Sequence, residues 1–171
     1  MRLSRHLALP ALVGLLALAS GAPALSGCDS NDPVTCEVSG DVETEDTTPE
    51  GTDLGATLAV NDCIALDYVG RLADGSGTFD EGRLPPFLAT AQSSQTYRTA
   101  ADLIPGFARG LGGLRVGESR RISIPPNLGY GPREVEDRNP EDEYVGIPAC
   151  SVLQFDVTLV EIYQDPRRCA R

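Results

Sequence analysis

The chemistry open to this chain is bounded first by the residues it lacks. Its only histidine, His6, lies in an N-terminal stretch read below as a leader, and all 14 basic residues are arginine, since no lysine occurs. Without an imidazole there is no Ser-His-Asp or Cys-His relay, no histidine metal ligand and no imidazole acid–base pair. Without lysine there is neither Schiff-base chemistry nor a phosphate-cradling P-loop. The 5 cysteines show no CxxC spacing of the kind that holds zinc. Hydroxyls, carboxylates and backbone donors remain, and two placements draw the eye. Tyr130 stands between Gly129 and Gly131, after Pro125-Pro126, and Phe79-Asp80 follows the turn Gly75-Ser76-Gly77. Aromatics at such spacings are core residues in most proteins, but a tyrosine flanked by glycines in a loop is better explained by a cavity beside it.

The elements that would position these residues can be read from periodicity. Ile64, Leu66 and Tyr68 alternate with Ala65 and Asp67, and Leu153, Phe155, Val157 and Leu159 alternate with Gln154, Asp156 and Thr158. Period two with one apolar face predicts strands of an antiparallel sheet covered on one side. Arg121-Ile122-Ser123-Ile124 repeats the pattern and must stop at Pro125-Pro126, which cannot continue a ladder. Leu103, Ile104, Phe107, Ala108 and Leu111 fall at helical spacing, with Pro105 tolerated in a first turn. The expected fold class is α+β, a twisted antiparallel sheet wrapped around one short amphipathic helix.

The N-terminus reads as an export signal. Arg2 and Arg5 precede an apolar run over residues 7–19, followed by Leu25-Ser26-Gly27-Cys28. Such a run is shorter than the ~20 residues needed to span a bilayer, and its basic flank and small-residue end are signal-peptide architecture. Leu-Ser-Gly-Cys resembles the bacterial lipobox, which implies a leader over residues 1–27 and an acylated Cys28. The competing reading is ordinary secretory cleavage near Ala22 or Ala24, with Cys28 left as a thiol. Asp29 after Cys28 resembles an inner-membrane retention signal.

Removing residues 1–27 leaves 25 acidic residues against 12 arginines, a charge near −13. That balance argues against nucleic acid and against docking on anionic lipid head groups, so membrane association is expected through the lipid anchor only. Nine acidic residues and no basic ones fall between Asp29 and Asp53, and the start of this stretch, residues 28–36, reads as a solvated tether. Cys36, Cys63, Cys150 and Cys169 remain, and export permits pairing among them. A last strand over residues 152–162 would hold Cys150 and Cys169 ~30 Å apart at strand rise, so those two should not join.

A set of short blocks then carries a resemblance: Leu66-Asp67-Tyr68-Val69-Gly70, Asp74-Gly75, Thr78-Phe79-Asp80, Pro86-Phe87, Leu103-Ile104-Pro105-Gly106-Phe107, Val116-Gly117-Glu118, Ile124-Pro125-Pro126-Asn127-Leu128-Gly129-Tyr130-Gly131, Ile147-Pro148 and Leu153-Gln154-Phe155-Asp156-Val157. In this order they resemble the FKBP-type peptidyl-prolyl cis-trans isomerases over roughly residues 40–164. The resemblance implies a domain over residues 37–164, with residues 165–171 as a C-terminal tail and Val42-Glu43-Thr44 in the first strand. It also gathers Cys36, Cys63 and Cys169 at one end of the sheet, permitting one bridge among them and leaving Cys150 alone.

The resemblance implies prolyl isomerisation in exported folding proteins. That reaction breaks no bond and needs no nucleophile or cofactor, so it survives the exclusions above. Its barrier is amide resonance, ~18–20 kcal/mol, and X–Pro isomers exchange unaided over tens to hundreds of seconds. The implied catalytic set is Tyr68, Asp80, Ile104 through its amide N–H, and Tyr130. The implied substrate-binding set is Phe79, Phe87, Leu103, Phe107 as pocket floor, Ile147 and Phe155. Partners would be X–Pro segments of unfolded or flexible proteins, with macrolide inhibitors of the family as further ligands, and no metal.

This chain departs from the family pattern in places. The family's frequent tryptophan is Phe107, Ala89 stands where a second aromatic is common, and the segment from Phe87 to Leu103 is about seven residues longer than in compact members. The loop over residues 132–146 is also about eight residues longer, with Glu134, Glu136, Asp137, Glu141, Asp142 and Glu143 against Arg133 and Arg138. Its net charge of −4 would favour clients with basic residues near the proline, and a passive solvated loop is the plain alternative. These departures leave open a non-catalytic peptide-binding, chaperone or assembly module on the same fold.

Overall fold

The two long alternating segments become the central pair of the sheet. In the computed structural model, which describes residues 35–137 and 143–171, β2 (Cys63–Leu72) lies antiparallel to β6 (Leu153–Tyr163), with Ile64 opposite Ile162 and Gly70 opposite Phe155. β1 (Glu43–Asp46), β3 (Thr78–Arg83), β4 (Phe87–Leu88) and β5 (Ser119–Ile124) complete the sheet. Its order is β1-β5-β6-β2-β3, and β4 also pairs with β2. The leader, Cys28 and the start of the tether, with Arg138, Glu141 and Asp142 of the acidic loop, lie outside the described residues.

Proline chemistry shapes one edge of this sheet. β3 pairs with the second half of β2, ending at Arg83 opposite Asp67, and the Leu84 N–H still donates to the Leu66 carbonyl at 3.0 Å. Pro85-Pro86 have no N–H to donate, so pairing lapses and resumes as β4, with Phe87 opposite Ile64. β5 ends for the same reason, at Pro125. The β2–β3 turn is closed by the Leu72 N–H on the Gly77 carbonyl (3.0 Å), with Gly75 at φ +80. Only glycine adopts that left-handed conformation without steric cost.

The helix α1 (Pro105–Gly110) is shorter than its apolar spacing suggested. Ile104, preceding a proline, is held extended at φ −60, ψ 140. The helix therefore starts at Pro105 and leaves Leu103 and Ile104 outside it, as wall rather than helix face. Its packing depends on glycine. A Cβ at Gly106 would overlap the Ile124 side chain, and one at Gly110 the Ile122 side chain, so the α1 backbone rests directly on these two β5 side chains. The apolar face of the sheet and α1 enclose the core, including Ile64, Leu66, Leu114, Ile122, Ile124, Leu153 and Leu159, all fully buried.

Two disulfides close the domain, Cys63–Cys169 and Cys36–Cys150. The first joins two of the three cysteines expected together. The second corrects the expectation that Cys150 would be left alone. Strand rise after residue 150 separates it from Cys169 but says nothing about the segment before β1, which runs back along the sheet: the Gly40 N–H reaches Asn127 Oδ1 at 3.2 Å, beside the loop that Cys150 borders. Residues 165–171, read as a tail, pack back on the domain. Cys169 is buried, its carbonyl accepts the Arg98 N–H at 2.8 Å, and Arg171 pairs with Asp102.

Candidate active site

The inward face of β6 builds the site from its middle. Phe155, 6% exposed, is the centre of an aromatic cluster. Its ring meets Phe107 at 4.9 Å and Phe79 at 5.4 Å, both edge to face, and lies 6.4 Å from Tyr68, which in turn meets Phe107 edge to face at 6.5 Å. Edge-to-face contacts of this kind contribute about 0.5–1.5 kcal/mol each beyond buried area. Four elements, β2, β3, α1 and β6, are thereby locked around one concavity. That concavity is a cavity of about 610 Å³, lined by all four rings together with Leu103, Ile104, Tyr130 and Ile147.

Polar groups are few and placed at its margin. The Tyr68 hydroxyl donates to Asp80 Oδ2 at 2.7 Å. Burial, and then this bond to a carboxylate, push the Tyr68 pKa well above the usual tyrosine value, so the hydroxyl stays protonated and keeps donating. Tyr130 follows the tight turn at Pro126–Leu128 and is held from both sides: the Gly131 N–H donates to the Pro126 carbonyl (2.9 Å) and the Cys150 N–H to the Gly131 carbonyl (2.8 Å). Its hydroxyl makes no hydrogen bond among the described residues. Burial, with the charge of Asp80, raises its pKa as well.

Ile104 supplies a backbone donor. Its carbonyl accepts the Phe107 and Ala108 N–H groups at 3.1 and 3.3 Å, while its own N–H has no acceptor among the described residues. A donor of this kind on an aromatic wall is available to a bound carbonyl.

Of the residues expected in the pocket, Tyr68, Phe79, Asp80, Leu103, Ile104, Phe107, Tyr130, Ile147 and Phe155 all line it. Phe87 does not. It is 3% exposed in β4, packed into the core opposite Ile64, because Pro85-Pro86 return the chain to β2 at that point. Ala89 lines a second concavity on the far side of Leu103.

The structure adds Leu84, Val135, Tyr144 and Val145 to the walls. Val135 and Ile147 exchange two backbone hydrogen bonds of 2.8 Å, and the Val145 N–H donates to the Thr78 carbonyl at 2.9 Å. A Cβ on Gly77 would lie 2.8 Å from Val145, so glycine there lets the loop at Val145 pack against the start of β3. The available signal was the apolar Val135 and Tyr144-Val145 in an otherwise charged loop.

Comparison with known proteins agrees with this architecture. Residues 55–160 match the family model for FKBP-type peptidyl-prolyl cis-trans isomerase. The chain is 37% identical over 110 residues to FK506-binding protein 4 of Chaetomium thermophilum, covering 63% of this chain and 19% of that protein. It is 36% identical over 107 residues to the human peptidyl-prolyl cis-trans isomerase FKBP9, covering 63% of this chain and 16% of that one. The chain thus spans under a fifth of the length of these relatives. The crystal structure of AtFKBP13 superposes with a TM-score of 0.52 at 23% identity, over 71% of this chain and 93% of the other. With the matched region running from the segment before β2 into β6, the chain belongs to the family of FKBP-type peptidyl-prolyl cis-trans isomerases.

Proposed function

We propose that the domain catalyses cis–trans isomerisation of X–Pro bonds in the aromatic pocket. The observation that carries this reading is the Ile104 N–H, without an acceptor among the described residues, on the wall of an apolar cavity floored by Phe107. Planar amides are stabilised by charge separation, which twisting about C–N removes. A water-poor aromatic site therefore favours the twisted state over the planar one, the differential binding that lowers a barrier. The proline ring rests on Phe107 and Phe155, the Ile104 N–H holds one substrate carbonyl, and the Tyr130 hydroxyl serves a second. Asp80 orients Tyr68 rather than moving a proton. Macrolide inhibitors of the family are ligands for the same cavity.

The clients proposed are exported proteins with slow proline steps, met by a domain tethered at the membrane through acylated Cys28 and the residues that follow it. The basic, apolar and Leu-Ser-Gly-Cys order of the N-terminus supports export. So do the two disulfides, which persist in oxidising compartments.

Protease-coupled isomerisation of X–Pro peptides by the full chain in mild detergent, with and without a macrolide, tests the reading. Turnover abolished by the macrolide is expected. A folded protein with neither turnover nor macrolide binding would sink it and leave a peptide-holding or assembly module. Mass spectrometry of the membrane fraction tests the anchor, with a diacylglyceryl adduct on Cys28 as the expected result.

A further inference from the structure

The walls of the pocket are unequal in charge. Among the described residues four carboxylates line it, Asp80, Asp102, Glu136 and Asp137, and no arginine does. Asp102 is neutralised by Arg171 at 2.6 Å. Asp80 accepts the Tyr68 hydrogen bond, which leaves its charge in place. Glu136 is exposed, and its carboxylate meets no cation among the described residues. The field extends to the rim: partial burial, then the charges of Glu81, Glu143 and Asp80, hold the Tyr144 hydroxyl above its ordinary pKa. Arg133 acts in the opposite sense on Tyr130 but does not line the pocket.

We propose that this distribution makes the domain selective for X–Pro segments with lysine or arginine beside the proline, an inference that rests on the isomerase reading above. The neutral proline ring occupies the aromatic floor, and residues on either side, at most ~3.6 Å further along per position, reach the mouth where the carboxylates stand. A lysine or arginine there lays its aliphatic stem on Val135 and Tyr144 and keeps its charge in water near Glu136 and Asp137. An acidic residue at the same place meets like charge. Because the mouth is exposed, the preference must weaken with salt, as the screening length falls from ~30 Å at 0.01 M to ~10 Å at 0.1 M.

The test uses the full chain and three otherwise identical proline peptides, flanked by lysine, glutamine or glutamate. At low salt the lysine peptide is expected to exceed the glutamate peptide in kcat/KM by about three- to tenfold, with the ratio shrinking toward unity in 0.5 M salt. The double variant Glu136→Gln/Asp137→Asn should lower the ratio, and Glu136→Lys should lower it further. Equal kcat/KM values across the peptides, a preference for glutamate, or a lysine preference that neither salt nor the variants change would overturn the inference. If no peptide is turned over, the isomerase reading fails instead. Fluorescence anisotropy of the same peptides then decides the charge question, tighter lysine binding supporting it and equal binding refuting it.

Discussion

Gly70 and Phe79 are separated by less than a side chain. A Cβ built on Gly70 would lie 2.6 Å from Phe79 Cε2 and 2.9 Å from Phe155 Cε1, so the absence of a side chain in β2 is what lets the β3 ring stand on the β6 ring. This glycine is opposite Phe155 in the sheet and buried. The close approach sets the wall of the cavity without contributing an atom to its chemistry.

Gly70→Ala should therefore displace Phe79 from Phe155. Overpacking of this kind costs about 1–3 kcal/mol, read as a lower denaturation midpoint. Turnover should fall about tenfold or more even under conditions where the variant is fully folded. Wild-type activity in a folded Gly70→Ala protein would show that the Phe79 wall is dispensable.

Tyr130 offers a cleaner separation of activity from stability. Its hydroxyl makes no hydrogen bond among the described residues, so Tyr130→Phe leaves no partner orphaned. The expected result is an unchanged melting temperature with kcat/KM lowered about three- to tenfold, the worth of one neutral hydrogen bond. Tyr68→Phe should differ, because it deprives Asp80 of a 2.7 Å donor. A melting temperature that drops with Tyr130→Phe would place the hydroxyl in the fold instead.

Period-two alternation located β2 and β6 because each has one apolar face, and Pro125-Pro126 marked the end of β5 because proline cannot donate to a ladder. Helical spacing misjudged the start of α1, since Leu103 and Ile104 satisfy the same apolar period from an extended segment before Pro105. Family position puts Phe87 in the pocket, yet whether a ring faces cavity or core depends on where Pro85-Pro86 let the chain rejoin β2. Tyr144 and Val145 carry no periodic signal, and the Val145 N–H that donates to the Thr78 carbonyl ties this stretch to β3 through a loop contact. The Cys36–Cys150 bridge depends on the path of residues that form no regular element.

Acid stability should report on Asp156. This carboxylate is bridged on the outer face of the sheet by Arg121, 2.8 Å away, and by Arg71. Burial raises its pKa, but the Arg121 bond and charge and then those of Arg71 outweigh that, and the carboxyl is held below its ordinary value. As pH falls the unfolded chain takes up this proton first, so the pair's contribution is present above about pH 4 and is lost as pH falls through the folded pKa. Urea midpoints from pH 7 to pH 2 should show wild type above Asp156→Asn at neutral pH and the two converging in acid. A constant gap would mean the destabilisation comes from packing alone.

Arg120 should matter to stability more than any exposed ion pair. Its guanidinium donates to Glu118 Oε1 at 2.5 Å and to the Gly110 and Gly112 carbonyls at 3.0 and 2.9 Å, at the end of α1. Glu118 is 7% exposed, and its other oxygen accepts the Arg115 N–H at 2.9 Å. Arg120→Met would leave a buried carboxylate without its cation and strip the last turn of α1 of its donors, a loss of about 3–5 kcal/mol. Adding Glu118→Gln removes the stranded charge and should recover part of that loss, giving a coupling that a double-mutant cycle measures directly. Exposed Arg83 is the control: it pairs with Asp67 at 2.6 and 2.8 Å but remains in solvent, so Arg83→Met should leave the denaturation midpoint close to that of wild type. Because α1 carries the pocket floor at Phe107, loosening its end should also raise KM for peptides, and restoring stability with Glu118→Gln should not restore KM while the Gly110 and Gly112 carbonyls remain without Arg120.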